Sequence, residues 1–505
     1  MKIVIVGGGA AGWMAAAALG RVIGDRWPIA LVESDQIGTV GVGEATIPQI
    51  LLFNGVVGLD EAEFVRETKA SFKLGIEFVG WGAPDASYVH AFGEVGRSLG
   101  LIPFQHYWLQ ARARGDDTSL AEYNQSTQAA ARNRFMREDA LPGTPLGATS
   151  YAYHFDAGLY AAHLRKHAER SGVTRHEGRI TSVGRDGENG NVTYVEMEDG
   201  RRIEGDLFID CSGFRSLLIG ETMESPYVDW SHWLPCNRAF AVPCQSVSPL
   251  TPYTRASART AGWQWRIPLQ HRIGNGYVFC SDYIDEDAAA RTLLENLDGE
   301  PLAEPRLLKF VTGHRQEFWR GNVVALGLAS GFLEPLESTS IHLVQSGLKH
   351  LVDLLPRDGI DAADVATYNA KLTFEYEKIR DFLILHYWAN GRDEPFWQRC
   401  REMSIPDTLV EKVETFRAHG RIFRFNEELF TEVAWLQVMV GQGIMPRSYH
   451  PLADAPGDAN VDKYLASIRD LIAAKVERMP DHAAYIERMI AAATTTPAQP
   501  IGAGA

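Results

Sequence analysis

The apolar positions of the first thirty-odd residues change period twice. Ile3 to Val6 is an unbroken β-branched run, which predicts a strand buried on both faces. Trp13 to Val22 is alanine-rich with a helical repeat, and Ile29 to Val32 predicts a second strand ending at Glu33. Between the first strand and the helix lies Gly7-Gly8-Gly9-Ala10-Ala11-Gly12. In this setting Gly7 permits a tight turn, Gly9 lets backbone approach a pyrophosphate, and Gly12 lets helix and strand pack closely. The free N–H groups and dipole at the helix start favour a phosphate. Glu33 is placed to accept hydrogen bonds from ribose hydroxyls. Strand, glycine turn, helix, strand and acid are all in register, so the segment reads as a dinucleotide-binding βαβ unit.

Later patterning divides the chain. Polar and apolar residues alternate from Arg175 to Asp210, broken by Asp186-Gly187 and Asp199-Gly200, which predicts an inserted antiparallel sheet. Tyr227 to Phe279 is rich in Trp, Pro and short β-like runs. Beyond Ser338 the period becomes helical, with helices expected over Ile341–Leu355, Ala362–Asn390, Ser404–Ala418 and Val461–Met479. The expected fold is α/β, a Rossmann-type nucleotide-binding domain with an inserted β-sheet over residues 1–345. A mainly helical substrate-binding cap over 346–490 follows, then a flexible tail over 491–505.

Composition narrows the classes. A chain of 505 residues exceeds one simple core, and 45% hydrophobic with 22% charged residues describes an ordinary globular protein. Lys plus Arg number 49 against 64 Asp plus Glu, a formal net charge of −15 that argues against nucleic acid or an anionic membrane as the main partner. No apolar run approaches the roughly 18 residues that span a bilayer. The apolar stretch after Lys2 is too short for a signal peptide and breaks into glycines. Five scattered cysteines lack metal-type spacing and suit a reducing cytoplasm, so no metal is expected.

Candidate chemistry lies outside the glycine motif. Gly41-Val42-Gly43-Glu44-Ala45-Thr46-Ile47-Pro48 suggests backbone passing close to a ligand, or else a surface turn. Asp206 to Gly213, containing Asp210, looks like the second nucleotide-contacting strand of FAD monooxygenases; Asn322 to Gly331, containing Gly327, looks like their third flavin segment. Further signatures are Lys73 within Ser71–Ile76, His90-Ala91-Phe92, Trp263-Gln264-Trp265-Arg266-Ile267-Pro268 and Glu334-Pro335-Leu336-Glu337-Ser338-Thr339-Ser340. Phe382–Tyr387, Phe396-Trp397 and Ser448–Asp454 extend the pattern. Together these segments resemble the flavin-dependent tryptophan halogenases over nearly the whole chain.

The resemblance implies an FADH2- and O2-dependent enzyme that makes hypohalous acid from chloride or bromide at the flavin and halogenates an electron-rich aromatic ring. It implies catalytic roles for Lys73, which would carry or hydrogen-bond the hypohalous acid, and for Glu337, which would stabilise the arenium cation or take its proton. Cofactor contacts are expected from Gly7, Gly9, Ala10, Ala11, Gly12, Glu33, Gly43, Glu44, Ala45, Asp210, Gly327, Leu333 and Ile341. Ser338, Thr339 and Ser340 would handle halide and begin the strap between the two sites. His90 and Phe92 would sandwich the ring, with Trp435 beside it, and Trp263 and Trp265 would shield the flavin.

Plainer readings stand beside these: a solvated lysine, packing tryptophans, a structural histidine, and a carboxylate neighbouring a helix cap. One segment departs from the family. In Ala434–Gly443, Trp435-Leu436 replaces a tyrosine pair that grips tryptophan's amino-acid end, and no glutamate follows. Indole, tryptophan or an indole-like compound are therefore comparable substrates. The implied partner is a separate NAD(P)H-dependent flavin reductase, and a homodimer is compatible with the sequence. The competing function is an FAD-dependent aromatic hydroxylase, for which the flavin motifs alone would serve equally well.

Overall fold

A computed structural model describes residues 1–36, 43–137, 147–357 and 359–495. Ile3–Val6 is an interior strand of a six-stranded sheet ordered Trp319–Arg320, Val323–Ala325, Leu207–Asp210, Ile3–Val6, Ile29–Glu33, Thr174–Glu177. Every pairing is parallel except that of the edge strand Trp319–Arg320. All four residues of Ile3–Val6 are buried. Ile3 and Ile5 face the main core, whereas Val4 and Val6 join a smaller core with Phe208, Leu218 and Val323. A period-2 strand covered on both faces is necessarily apolar throughout. Each fully buried aliphatic side chain contributes about 1.5–3 kcal/mol.

The helix after the glycine turn, Ala10–Ile23, packs against Ala157–Arg170. That second helix returns the chain so that Thr174–Glu177 pairs parallel with Ile29–Glu33. Thr174–Glu177 thus leaves the antiparallel sheet expected over 175–210. The sheet is confined to Ile180–Arg185, Val192–Met197 and Arg202–Glu204, and Leu207–Asp210 is again parallel. Alternation reports one exposed face and cannot separate a parallel edge strand from an antiparallel one; the crossover helix decides.

A seven-stranded sheet runs Arg306–Lys309, Arg238–Cys244, Ile273–Phe279, Gly262–Pro268, Thr254–Arg259, Gly75–Val79, Ser87–Ala91. A small three-stranded sheet positions Lys73. Its central strand, Ala152–Asp156, pairs antiparallel with Gly43–Ala45 on one side and Ser71–Lys73 on the other. Lys73 is therefore held one strand away from the Gly43–Ala45 segment.

The helical region comprises Ser340–Asp353, Ala362–Trp388, Pro395–Glu402, Asp407–His419, Glu432–Gly441, Asp458–Arg478 and His482–Thr495. The last helix enters the segment expected to be a flexible tail, so residues 491–495 are helical; the remainder of that expectation lies outside the described residues. Its anchor is buried His482, whose Nε2 accepts from Phe72 N at 3.1 Å and whose Nδ1 donates to Leu250 O at 2.8 Å. Composition at the chain end carries no sign of this anchor. Among the described residues no helix is long and apolar enough to cross a membrane.

Candidate active site

The glycine turn opens on a cavity of about 540 Å³. Gly7, Gly9, Ala10, Ala11 and Glu33 form its nucleotide end. Gly7 has φ +111°, and a Cβ there would lie 2.2 Å from Cys211 O. A Cβ on Gly8 would lie 1.4 Å from Glu33 Oε2, whereas one on Gly9 would meet no protein atom within 4 Å. The space over Gly9 thus belongs to the cavity, which fits backbone approach by a pyrophosphate. Gly12 is off the cavity wall and buried; its Cβ would strike Gly7 O at 1.8 Å, so it serves helix–strand packing. Glu33 is oriented by Arg175 Nε at 2.6 Å and Trp13 Nε1 at 3.3 Å.

Gly43, Glu44 and Ala45 line the same cavity, as do Trp265, Gly327, Leu333 and Ile341. Gly41 and Val42 of that early signature lie outside the described residues. Burial raises the Glu44 carboxyl to about 7. Asp210, like Gly12, is off the cavity wall among the expected cofactor contacts. It is buried, and its carboxylate accepts from the backbone N–H groups of Ser212, Leu218 and Ile219 and from the Ser212 hydroxyl. Its neighbours Cys211, Ser212 and Gly213 reach the cavity instead. Asp210 orders the loop because a buried carboxylate must be saturated with donors.

Lys73 is 0% exposed. Its Nζ donates to Thr46 O at 2.9 Å and Ser338 Oγ at 2.7 Å, and lies 5.3 Å from the centroid of the Phe92 ring. Burial lowers the ammonium from 10.5 to about 7, while the nearby Glu337 charge opposes that fall. Ser338 and Ser340 line the cavity, so the lysine is one side chain behind its wall. Ser338 adopts left-handed backbone, φ 60°, at the end of the turn Pro335–Glu337. Thr339 is buried off this wall and caps the following helix without a side-chain bond.

Glu337 is held by two imidazoles. His90 Nδ1 lies 2.8 Å from Oε2, and His386 Nε2 lies 2.8 Å from Oε1, within ion-pair range but off hydrogen-bond alignment. Burial alone would raise this carboxyl; His90 and His386 outweigh it and hold the group at about 2. His90, expected to stack on a substrate ring, is thus a direct partner of the candidate catalytic carboxylate. Sequence reasoning missed His386, which sits on the long helix Ala362–Trp388 with Nδ1 on Phe382 O at 2.8 Å. An apolar run around a histidine gives no sign of a partner fifty positions upstream.

The two tryptophans part company. Trp265 lines the cavity, but Trp263 is off its wall and donates Nε1–H to Glu334 Oε2 at 2.6 Å. Tyr387 OH donates to the same oxygen at 2.5 Å. Burial raises Glu334 to about 7, partly countered by Tyr387 and Trp263. The motif's two glutamates therefore differ in kind: Glu334 fastens Trp263, and Glu337 faces two imidazoles.

Trp435 is buried on Glu432–Gly441. Lys412 Nζ lies 4.8 Å from its ring centroid and pairs with Glu428 at 3.0 Å. On its other side Trp435 meets Phe382 edge-on at 4.7 Å, and Phe382 meets His90 at 5.6 Å. Gln437 pins this helix to the His90 strand by a reciprocal pair with Ala91 N and O, at 3.1 and 3.0 Å. Trp435 is thus two rings from Glu337.

A tryptophan halogenase family model matches residues 2–458. The tryptophan 7-halogenase RebH of Lentzea aerocolonigenes is 35% identical, over 95% of this chain and 97% of its own. A flavin-dependent halogenase of Xanthomonas campestris has a solved structure matching at a TM-score of 0.94 with 49% identity, over 99% of each chain. The flavin-dependent halogenase BrvH of Brevundimonas sp. BAL3 matches at 0.93 with 43% identity, over 97% of this chain and 99% of that one.

Proposed function

Because this chain belongs to the tryptophan halogenase family, we propose that it halogenates an indole-type aromatic compound with hypohalous acid made from chloride or bromide. The observation that carries this reading is the bond from Lys73 Nζ to Ser338 Oγ, which joins a buried amine to the cavity wall one residue from Glu337. Reduced FAD, when bound, supplies with O2 the oxidising power that turns halide into hypohalous acid. Gly7, Gly9, Ala10, Ala11 and Glu33 would hold the nucleotide end, and Gly43–Ala45, Trp265, Leu333 and Ile341 the remainder.

Lys73 receives the hypohalous acid. At about 7 a substantial share of the amine is neutral and nucleophilic at physiological pH. Its lone pair takes the halogen, the O–X bond breaks, and water leaves, giving a haloamine. The ring's π electrons then attack the halogen, the N–X bond breaks, and nitrogen regains a proton from solvent. Glu337, held near 2, stays ionised throughout. Its role is to stabilise the cationic ring intermediate electrostatically; a carboxylate this acidic is a weak proton acceptor, and water takes the ring proton.

The substrate reading follows from Trp435. The resemblance puts Trp435-Leu436 in the place of the tyrosine pair that grips an amino-acid end, and Trp435 is buried over Lys412, so indole and indole derivatives are favoured over free tryptophan. Supply of reduced flavin is assigned to a separate NAD(P)H-dependent reductase, and five buried unpaired cysteines suit a reducing cytoplasm. The test is an indole and tryptophan panel with reduced FAD, O2 and each halide, read by mass spectrometry. Halogenated product supports the reading. Hydroxylated product at saturating halide would establish the aromatic hydroxylase instead.

A further inference from the structure

Outside the flavin cavity, two helices bring an unsatisfied cluster together. His163 and His167 lie four residues apart on Ala157–Arg170, so both project from one face. Their rings are 4.9 Å apart between centroids. Glu63 comes from the first turn of the facing helix Glu61–Glu67. One ligand atom from each of the three lies within 4.8 Å of the other two.

His163 is 2% exposed, yet neither ring nitrogen has a hydrogen-bond partner among the described residues, and His167 Nε2 is also unpartnered. Buried imidazole nitrogens are normally bonded, so an orphaned pair aimed at a carboxylate calls for a ligand. We propose that Glu63, His163 and His167 bind a divalent cation of the zinc class.

The chemistry fits. Two imidazoles and one carboxylate are a common donor set for zinc, with room for a water in the remaining position. Bond lengths of about 2.1 Å place tetrahedral ligand atoms roughly 3.4 Å apart, so each of the three moves inward by under about 1 Å. Burial keeps both histidines in the neutral, metal-binding form, lowering His163 and holding His167 at about 4. Glu63 adds a negative charge. Nearby Lys166 and Arg170 oppose a cation, but Lys166 lies 3.7 Å from Glu67, which offsets part of its charge.

The cation would clamp Glu61–Glu67 to the helix packed against the glycine-loop helix. It would therefore act on stability, away from Lys73 and Glu337. The test uses tag-free full-length protein stripped with a chelator, then titrated with zinc against a chromophoric competitor. One equivalent per chain with dissociation in the micromolar range or tighter is expected, together with a rise in melting temperature. His163→Ala should weaken binding by at least about 100-fold and remove the thermal response. His167→Gln, at a half-exposed position that leaves the core intact, should do the same if His163→Ala folds poorly. No saturable binding by the wild type, or binding unchanged in His167→Gln, would overturn the proposal.

Discussion

Lys73 and Ser338 are joined by a 2.7 Å hydrogen bond that links a fully buried amine to the wall of the cavity that the glycine turn opens on. The serine is in left-handed backbone, so its hydroxyl is aimed by a turn that an L side chain adopts at a cost. A hydrogen bond to a charged or half-charged group is worth more than a neutral one.

Ser338→Gly separates these two contributions. Glycine favours φ 60°, so melting temperature should be unchanged or higher. Loss of the hydroxyl should lower halogenation by roughly 10-fold, the equivalent of one charge-assisted hydrogen bond. Product formation at full activity would remove Ser338 from the lysine's placement.

Lys73→Ala should reduce product by at least about 100-fold while FAD binding and peroxide release persist. Halogenation surviving that change would exclude the amine from the reaction. Lys73→Arg should fail equally, because a guanidinium stays charged and cannot take halogen as a neutral amine.

The pH profile follows from the same amine. With a folded value of about 7, the neutral form grows as pH rises, so haloamine-dependent turnover should climb between about pH 6 and 8 and then level. The folded chain binds fewer protons at this site than the unfolded chain between about 7 and 10.5, so the lysine's contribution to stability also rises with pH across that window. A rate that falls through pH 7 would instead assign the work to the ammonium.

The glycine turn gives a contrast at adjacent positions. Gly9→Ala places its methyl into open cavity and should fold normally while FAD affinity drops by about 10-fold or more. Gly7→Ala meets Cys211 O at 2.2 Å in backbone of φ +111°, and should lose soluble folded protein. Equal FAD affinity in Gly9→Ala and wild type, measured by fluorescence titration, would contradict the assigned approach of the pyrophosphate.

What the sequence disclosed divides along physical lines. Ile3–Val6 and the glycine turn were legible because strand burial and turn geometry are written within one local βαβ unit, whose second strand ends at Glu33. Thr174–Glu177 was misread because parallel pairing depends on a crossover helix and not on its own alternation. Lys73 and Glu337 were singled out by resemblance together with their expected roles, but the partners that set their charge states were not legible. The amine's lowered value comes from burial in a three-stranded sheet, and the carboxylate's from His90 and His386 on separate elements. The partners of Asp210 were hidden for a related reason: which way a buried carboxylate turns is set by backbone donors that spacing does not reveal.

Glu337 and Lys73 are also coupled, and that coupling can be measured. The Glu337 charge raises the lysine against its burial, so Glu337→Gln removes an upward influence. The rising limb of the pH profile should therefore move to lower pH in that variant. Loss of the anion beside the cationic ring intermediate should independently lower the plateau rate by about 100-fold. Substrate affinity, read from KM or equilibrium binding, should change little, since the carboxylate acts on a cation that forms only after the ring is bound. A lowered plateau with an unmoved limb would show that Glu337 acts on the ring alone; an unchanged plateau would remove it from catalysis.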